Sequence, residues 1–257
     1  TILRTDAGVE IVAAPGLGPM LRDHLERYHI RESLELADAS AEQAIFLVAG
    51  ADAAGRLEKL GGGELPQAEA EHREQLLAGI PVQVARVTGR GADGFWLQVD
   101  HGRGADLAAV LAAAGLPRLE PADLEAARIE AGFPLPVDIV EKTLPQELGR
   151  DSCAISFTKG CYLGQETVAR LDAMGHVNRR LAVVAIDADP PPLPAELFLD
   201  GQPVGLITSA AASAQRGGTV GLAIIQTRGL AGGPLRVGTA TARVLSIPGH
   251  PDLVNPG

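Results

Sequence analysis

The chain has 257 residues, a formal net charge of −10, 46% hydrophobic residues and only 3% aromatic ones. A length of this order can bury a substantial core in one large domain or two modest ones, and the acidic excess argues against a protein whose main work is gripping nucleic-acid phosphates, a task dominated by Lys and Arg. No apolar run is long enough for a membrane span and no charged-then-apolar leader opens the chain, while two cysteines, Cys153 and Cys161, make no disulfide framework, so a reducing cytoplasm is the expected setting.

Residues 2–5 already read as a strand, so the chain is expected to begin inside a domain. A second strand is expected over 9–13 and a helix over 19–28, with Pro19 suited to the first helical position and Leu21 and Leu25 sharing a face. Between them Gly16-Leu17-Gly18-Pro19 superficially matches a dinucleotide fingerprint, but the third glycine is missing and Pro19 removes an amide that would face a pyrophosphate, so it reads as a strand-to-helix turn. The alternation over 33–36 and the apolar run over 44–49 predict two more strands, and Asp52 is placed to cap a helix reaching residue 60, ended by Gly61-Gly62-Gly63. Residues 81–88 and 94–99 predict a strand pair joined by a turn at 89–93, with Trp96 in the sheet, and 106–114 predict a helix closed by Gly115. Short alternating units of this kind are compatible with a split βαβ, ferredoxin-like arrangement.

A helix over 121–131 carries Arg128 and Glu130 on different faces and ends at Gly132; the Pro-rich stretch 133–149 is an irregular connector. Another helix runs from about Gln165 to Gly175, with Glu166 four residues ahead of Arg170. Beyond Arg180 the apolar runs 181–186, 196–199, 203–209, 219–225, 234–237 and 240–245 are separated by Gly and Pro turns, the pattern of a small β-barrel. The fold class is therefore α+β, with a mixed domain over 1–178 and a barrel over 179–257.

The stretch richest in chemistry is Lys159-Gly160-Cys161-Tyr162-Leu163-Gly164-Gln165-Glu166-Thr167-Val168-Ala169-Arg170. A cation two residues from Cys161 and the start of a helix just beyond it both favour thiolate, which leaves nucleophilic attack, redox exchange and metal binding open. Lys159, Arg170, Arg179 and Arg180 lie close together in sequence and could receive an anionic ligand. Two cysteines and six scattered histidines are too sparse for a closed zinc or cluster site, so no resident metal is expected. Neither a Gly-Lys-Ser/Thr phosphate loop nor a His-Glu-x-x-His zinc motif is present.

That stretch resembles the cysteine motif of the YgfZ-type folate-binding proteins, a branch of the glycine-cleavage T-protein (aminomethyltransferase) superfamily. Ala127-Arg128-Ile129-Glu130-Ala131-Gly132-Phe133-Pro134 is similar to the superfamily's Arg-x-Glu-Ala-Gly segment, followed by Asp138 and by Leu144-Pro145-Gln146-Glu147; Asn178-Arg179-Arg180-Leu181 and Gly205-Leu206-Ile207-Thr208-Ser209-Ala210 match the start and centre of its barrel. The resemblance implies a T-protein-type folate-binding domain before the barrel, and tetrahydrofolate or a one-carbon derivative as cofactor. Glu130 would accept the paired N–H groups of the pterin, helped by Arg128, Tyr162, Gln165 and Arg170. Cys161 and Lys159 would be the reactive pair, and iron–sulfur client enzymes or assembly proteins, including tRNA-modifying enzymes, the partners, with no direct nucleic-acid or membrane contact. Two departures bear on activity. Aminomethyltransferases carry Asp-Phe-x-Gly where this chain has Cys161-Tyr162-Leu163-Gly164, and their aspartate near the reactive folate nitrogen aligns at or just before Thr1. A one-carbon transferase acting on a tetrahydrofolate adduct is the alternative expectation, and a structural binding module a third.

Overall fold

In the computed structural model, which describes residues 1–6, 8–61, 63–88, 94–230 and 233–253, contacts divide the chain into Thr1–Arg118 and Leu119–Gly257. This division falls some sixty residues before the 178/179 boundary expected from sequence, because the segment between packs on the barrel strands through its first helix.

In the first unit β1 (Ile2–Thr5) and β2 (Gly8–Ile11) form an antiparallel pair, followed by α1 (Gly18–Glu26) with Pro19 in its first turn. A four-stranded sheet is then built from β3 (Gln43–Ala49), β4 (His72–Leu77), β5 (Ile80–Val87) and β6 (Gly94–Asp100), in the order β3-β6-β5-β4 and antiparallel throughout. Helices α2 (Ala53–Glu58) and α3 (Gly104–Ala113) accompany it. Period-two alternation sends Val82, Val84, Leu97 and Val99 to one face, where they meet Leu57 of α2 and Leu107 and Leu111 of α3. Ala85, Val87 and Trp96 go to the other face and are covered by Leu3 of β1. Trp96 is thus a core residue.

The expected split βαβ is not the topology of this sheet: the strands flanking α2 are its two edges, run antiparallel and are separated by two strands rather than one. The strand expected over 33–36 does not form; among the described residues no strand pairs with it, and Leu34 is exposed. Conversely, β4 has a polar sequence, His-Arg-Glu-Gln-Leu-Leu, in which only Gln75 and Leu77 are buried, as suits an edge strand with one wet face. Its turn into β5 takes positive φ at Ala78 (48°) and Gly79 (81°), matching the twist of a tight hairpin. The turn expected over 89–93 lies outside the described residues.

The second unit begins with α4 (Pro121–Glu130), two 3-10 turns (Pro136–Asp138 and Pro145–Leu148), α5 (Asp151–Ala154) and α6 (Gln165–Met174). Six strands follow: β7 (Arg179–Ile186), β8 (Ala195–Leu199), β9 (Gln202–Ser213), β10 (Gly218–Gln226), then, after α7 (Thr227–Leu230), β11 (Leu235–Val237) and β12 (Ala240–Ser246). They close a barrel in the order β10-β7-β12-β11-β8-β9. Val184, Ile207, Ala223 and Ile225 fill its interior, while Leu181, Val183, Leu222 and Ile224 pack outward with Ile129 of α4. Burial on both faces explains why β7 and β10 read as nearly unbroken apolar runs. No helix among the described residues is long and apolar enough to cross a membrane.

After β12 the chain returns over the connector. Gly149 has φ +65°, and a Cβ there would lie 1.8 Å from the Pro248 carbonyl oxygen; at Gly132 it would lie 2.4 Å from Pro248 Cγ. Neither position admits a side chain. Gly149→Ala is expected to destabilise the protein by about 2 kcal/mol or more, since it combines a positive-φ penalty with a backbone clash; a lowered urea midpoint at unchanged slope would show it.

Candidate functional site

Helix α4 places Arg128 and Ile129 on its buried side, and Gly132, at φ +66°, lets the chain turn back over its last residues. That reversal brings the Phe133 carbonyl and Asp138 onto the Arg128 guanidinium. All five of its N–H groups have acceptors: Nε and Nη2 donate to the two Glu125 oxygens, Nη1 to the Phe133 carbonyl (2.6 Å) and Asp138 Oδ2 (2.8 Å), and Nη2 also to Ser209 Oγ (2.9 Å). Burial works against its charge, but the Glu125 hydrogen bonds and the charges of Asp138 and Glu125 outweigh that cost and hold its pKa above the ordinary arginine value.

Asp138 is fully buried. Its Oδ2 accepts from Arg128 and from the Leu135 amide (2.9 Å), and its Oδ1 from the hydroxyls of Thr208 and Ser209, both at 2.6 Å. Two consecutive strand residues ordinarily point to opposite faces. Here β9 carries a bulge: Ser209 pairs with Leu222 and Ile207 with Ala223, leaving Thr208 as the extra residue. The irregularity brings both hydroxyls to one carboxylate oxygen.

Among the described residues no hydrogen bond or ion pair joins Glu130, half-buried two residues beyond Arg128, to that arginine; its Oε1 accepts a hydrogen bond from the Ser213 hydroxyl at the end of β9, which in turn accepts from the Arg216 amide (3.0 Å). Among the described residues Glu130 Oε2 accepts nothing, so one oxygen and a further lone pair on the other remain for a ligand. Arg128, expected to help bind a cofactor, has no donor left for one.

The cysteine stretch forms a loop leading into α6. Cys161 is a free, exposed thiol. The Lys159 ammonium lies 4.6 Å from the centroid of the Tyr162 ring rather than against Cys161, and the Tyr162 amide donates to Gln165 Oε1 (3.1 Å). Gly164, at φ +85°, turns the chain into the helix. Lys159, Tyr162 and Gln165 are therefore brought together, whereas among the described residues no hydrogen bond or ion pair joins them to Glu130. Arg170 is exposed on α6.

The expected basic group disperses. Arg179 donates to buried Glu147 (2.9 Å), whose same oxygen accepts the Leu144 amide, and Arg180 to His250. Gln146 donates to the Val168 carbonyl of α6 (2.9 Å) while its own oxygen is buried with no partner among the described residues. Burial, then the charge of Arg180, lowers the pKa of His250, with Asp151 opposing; burial raises that of Asp151. Sequence reasoning missed Thr208, Ser209 and Ser213 as site-builders; the signal was three hydroxyls in an otherwise apolar strand.

Residues 179–247 match the family model of the glycine cleavage T-protein C-terminal barrel domain. The chain is 30% identical over 205 residues to an aminomethyltransferase of Shouchella clausii, covering 77% of this chain and 56% of that protein. It is 34% identical over 100 residues to the mitochondrial iron-sulfur cluster assembly factor IBA57 of Mus musculus (36% of this chain, 26% of that one), and 39% identical over 79 residues to the tRNA-modifying protein YgfZ of Colwellia psychrerythraea (30% and 24%). The crystal structure of glycine cleavage system aminomethyltransferase T from Bartonella henselae shares the fold, with a TM-score of 0.69 over 90% of this chain and 65% of that one at 17% identity. The chain spans about half the length of the curated relatives that it matches most extensively.

Asp138→Ala should destabilise the protein by about 3–5 kcal/mol, since it removes the buried one of Arg128's two counter-charges and leaves an Nη1 donor and the Thr208 and Ser209 hydroxyls without their acceptor, whereas Glu125→Ala, at a half-exposed partner, should cost about 1 kcal/mol; urea denaturation distinguishes the two. Because the folded pKa of His250 is below its ordinary value of 6.5, the folded state binds fewer protons than the unfolded one, and the stability it contributes above that pH is lost as pH falls through it. Asp151 has the opposite sign, its contribution being present below the ordinary 3.8 and lost as pH rises past its raised value. Between about pH 7.5 and about pH 5.5, where an ordinary His titrates, His250 should therefore lower the urea midpoint while His29, whose pKa is raised chiefly by its hydrogen bond to the Glu32 carbonyl, acts in the opposite direction; the His250 contribution is read as the difference between the wild-type and His250→Gln pH profiles, the variant losing less stability as pH falls.

Proposed function

We propose that this chain is a cytoplasmic tetrahydrofolate-binding accessory protein that supports assembly or repair of iron–sulfur enzymes, including ones that modify tRNA. The observation that carries the reading is the Glu130 carboxylate, fixed through one oxygen by Ser213 and open at the other. A pterin presents an amino group and a ring N–H side by side, and an oriented carboxylate accepts both. In this reading Arg128 acts indirectly by holding α4, and Gln165 and the exposed Arg170 are assigned to polar or anionic parts of the ligand. Tetrahydrofolate, when bound, supplies a carrier nitrogen for a one-carbon unit; the chain's own residues bind and orient it.

Cys161, exposed on a loop braced by the Lys159–Tyr162 stack, is the group that meets a client protein. The iron–sulfur assembly factor and the tRNA-modifying protein among the relatives support this part of the reading. The alternative, an aminomethyl or one-carbon transferase, is favoured by the more extensive match to an aminomethyltransferase, and a methylene-tetrahydrofolate product assay decides for it if turnover is seen.

Calorimetric titration with tetrahydrofolate should give saturable binding that weakens at least tenfold, about 1.4 kcal/mol, in Glu130→Ala, while Cys161→Ala should bind normally and fail to restore activity of cluster-dependent enzymes in cells lacking the protein. Equal binding by Glu130→Ala and the wild type would remove Glu130 from the site, and normal maturation by Cys161→Ala would remove the cysteine from the mechanism.

A further inference from the structure

At the end of the barrel where the chain enters β7, an open cleft of about 430 Å³ is lined by Asn178, Arg179, Gln226, Thr227 and Arg228. None of the five is acidic, in a chain whose net charge is −10. Their hydrogen bonding leaves donors in excess. Arg179 is anchored through Nε to Glu147 and through Nη2 to the Glu141 carbonyl, and Arg228 through Nε to Gln226 Oε1 and through Nη2 to the Pro203 carbonyl. Each guanidinium therefore keeps an Nη1 with no acceptor among the described residues. The bond from Arg228 occupies the Gln226 oxygen, so the carboxamide has its Nε2 donor to offer, and the Thr227 hydroxyl proton goes to the Val177 carbonyl. Arg128 makes the contrast: its donors are all satisfied inside the protein, whereas these two are held in place and unsaturated.

We propose that this cleft is a binding site for a small oxyanion ligand, a carboxylate or phosphate group gripped between Arg179 and Arg228 with Gln226 assisting. Planar guanidinium forks are suited to either group, and anchoring by carbonyl and carboxylate partners reduces the side-chain entropy lost on binding. The site is separate from Glu130. Gln226 pairs with Arg179 at one end of the nine-residue β10, and Gly218 pairs with Ser213, the partner of Glu130, at the other. At about 3.3 Å per residue the two ends are about 25 Å apart.

The test is titration of the chain, followed by heteronuclear NMR, with two probes: inorganic phosphate and tri-γ-glutamate. Saturable binding of either, with a Kd at or below about 1 mM, is expected to perturb the amides of Gln226, Thr227 and Arg228. It should weaken about tenfold in Arg228→Gln, weaken also in Gln226→Ala, and be unchanged in Glu130→Ala. The probe that binds identifies whether phosphate or carboxylate is the natural group. Absence of saturable binding to both, or equal affinity in wild type and in an Arg228→Gln protein with an unaltered urea midpoint, overturns the proposal.

Discussion

The ion pair between Arg128 and Asp138 is the contact on which the Leu119–Gly257 unit depends. It joins a helix to a connector, and through Thr208 and Ser209 it joins both to the middle of a barrel strand. Such a pair adds little net stability over a well-packed apolar replacement, because desolvating two charges offsets most of their attraction. What it adds is geometry. Every donor of the guanidinium and both oxygens of Asp138 have partners, so α4 has one satisfied position against β9, and any slip would strand a buried charge.

That fixed position separates the roles of two charged residues that look alike in sequence. Arg128 faces inward and is saturated; Glu130, two residues on, faces the β9–β10 hairpin and retains acceptor capacity. The connector repeats the division on the other side of the unit. Glu147 holds Arg179 at the start of β7, and Gln146 holds the Val168 carbonyl of α6, so the helix that follows the Cys161 loop is tied to the same frame as Glu130. Structural charges are buried and complete; the groups available to a ligand or partner are those left exposed or half-satisfied.

The barrel was legible in the sequence because its strands are short, largely apolar stretches separated by Gly and Pro turns, and α4 and α6 because proline, glycine and helical spacing mark their ends. Three features were not. β4 is an edge strand whose side chains mostly face water, so its sequence carries no apolar alternation. The β5–β6 pair was legible as two runs either side of a turn, but the place of β3 beside β6 depends on pairing across more than forty residues, and local pattern does not encode that. The bulge at Thr208 cannot be read from composition, since a Thr-Ser pair in a strand normally splits between two faces. Among the site residues, Glu130 and Cys161 were visible as motif positions. The saturation of Arg128 was not, because its partners come from Glu125, Phe133, Asp138 and Ser209, brought together only by the turn at Gly132 and the closure of the barrel.

The spacing of these partners along the chain has a consequence for synthesis. Asp138 and Ser209 are 71 residues apart, Arg128 and Ser209 81. At about 5–20 residues per second a ribosome needs roughly 4–14 s to add the stretch between Asp138 and the hydroxyls that complete its shell. Arg128 and Asp138, only ten residues apart, emerge together and can pair at once, but until β9 follows, Oδ1 of the aspartate has water as its partner. The nascent unit therefore carries a hydrated, half-coordinated carboxylate through several seconds of elongation, and its dehydration awaits β9, the third barrel strand to emerge, with β10, β11 and β12 still to follow before the barrel can close.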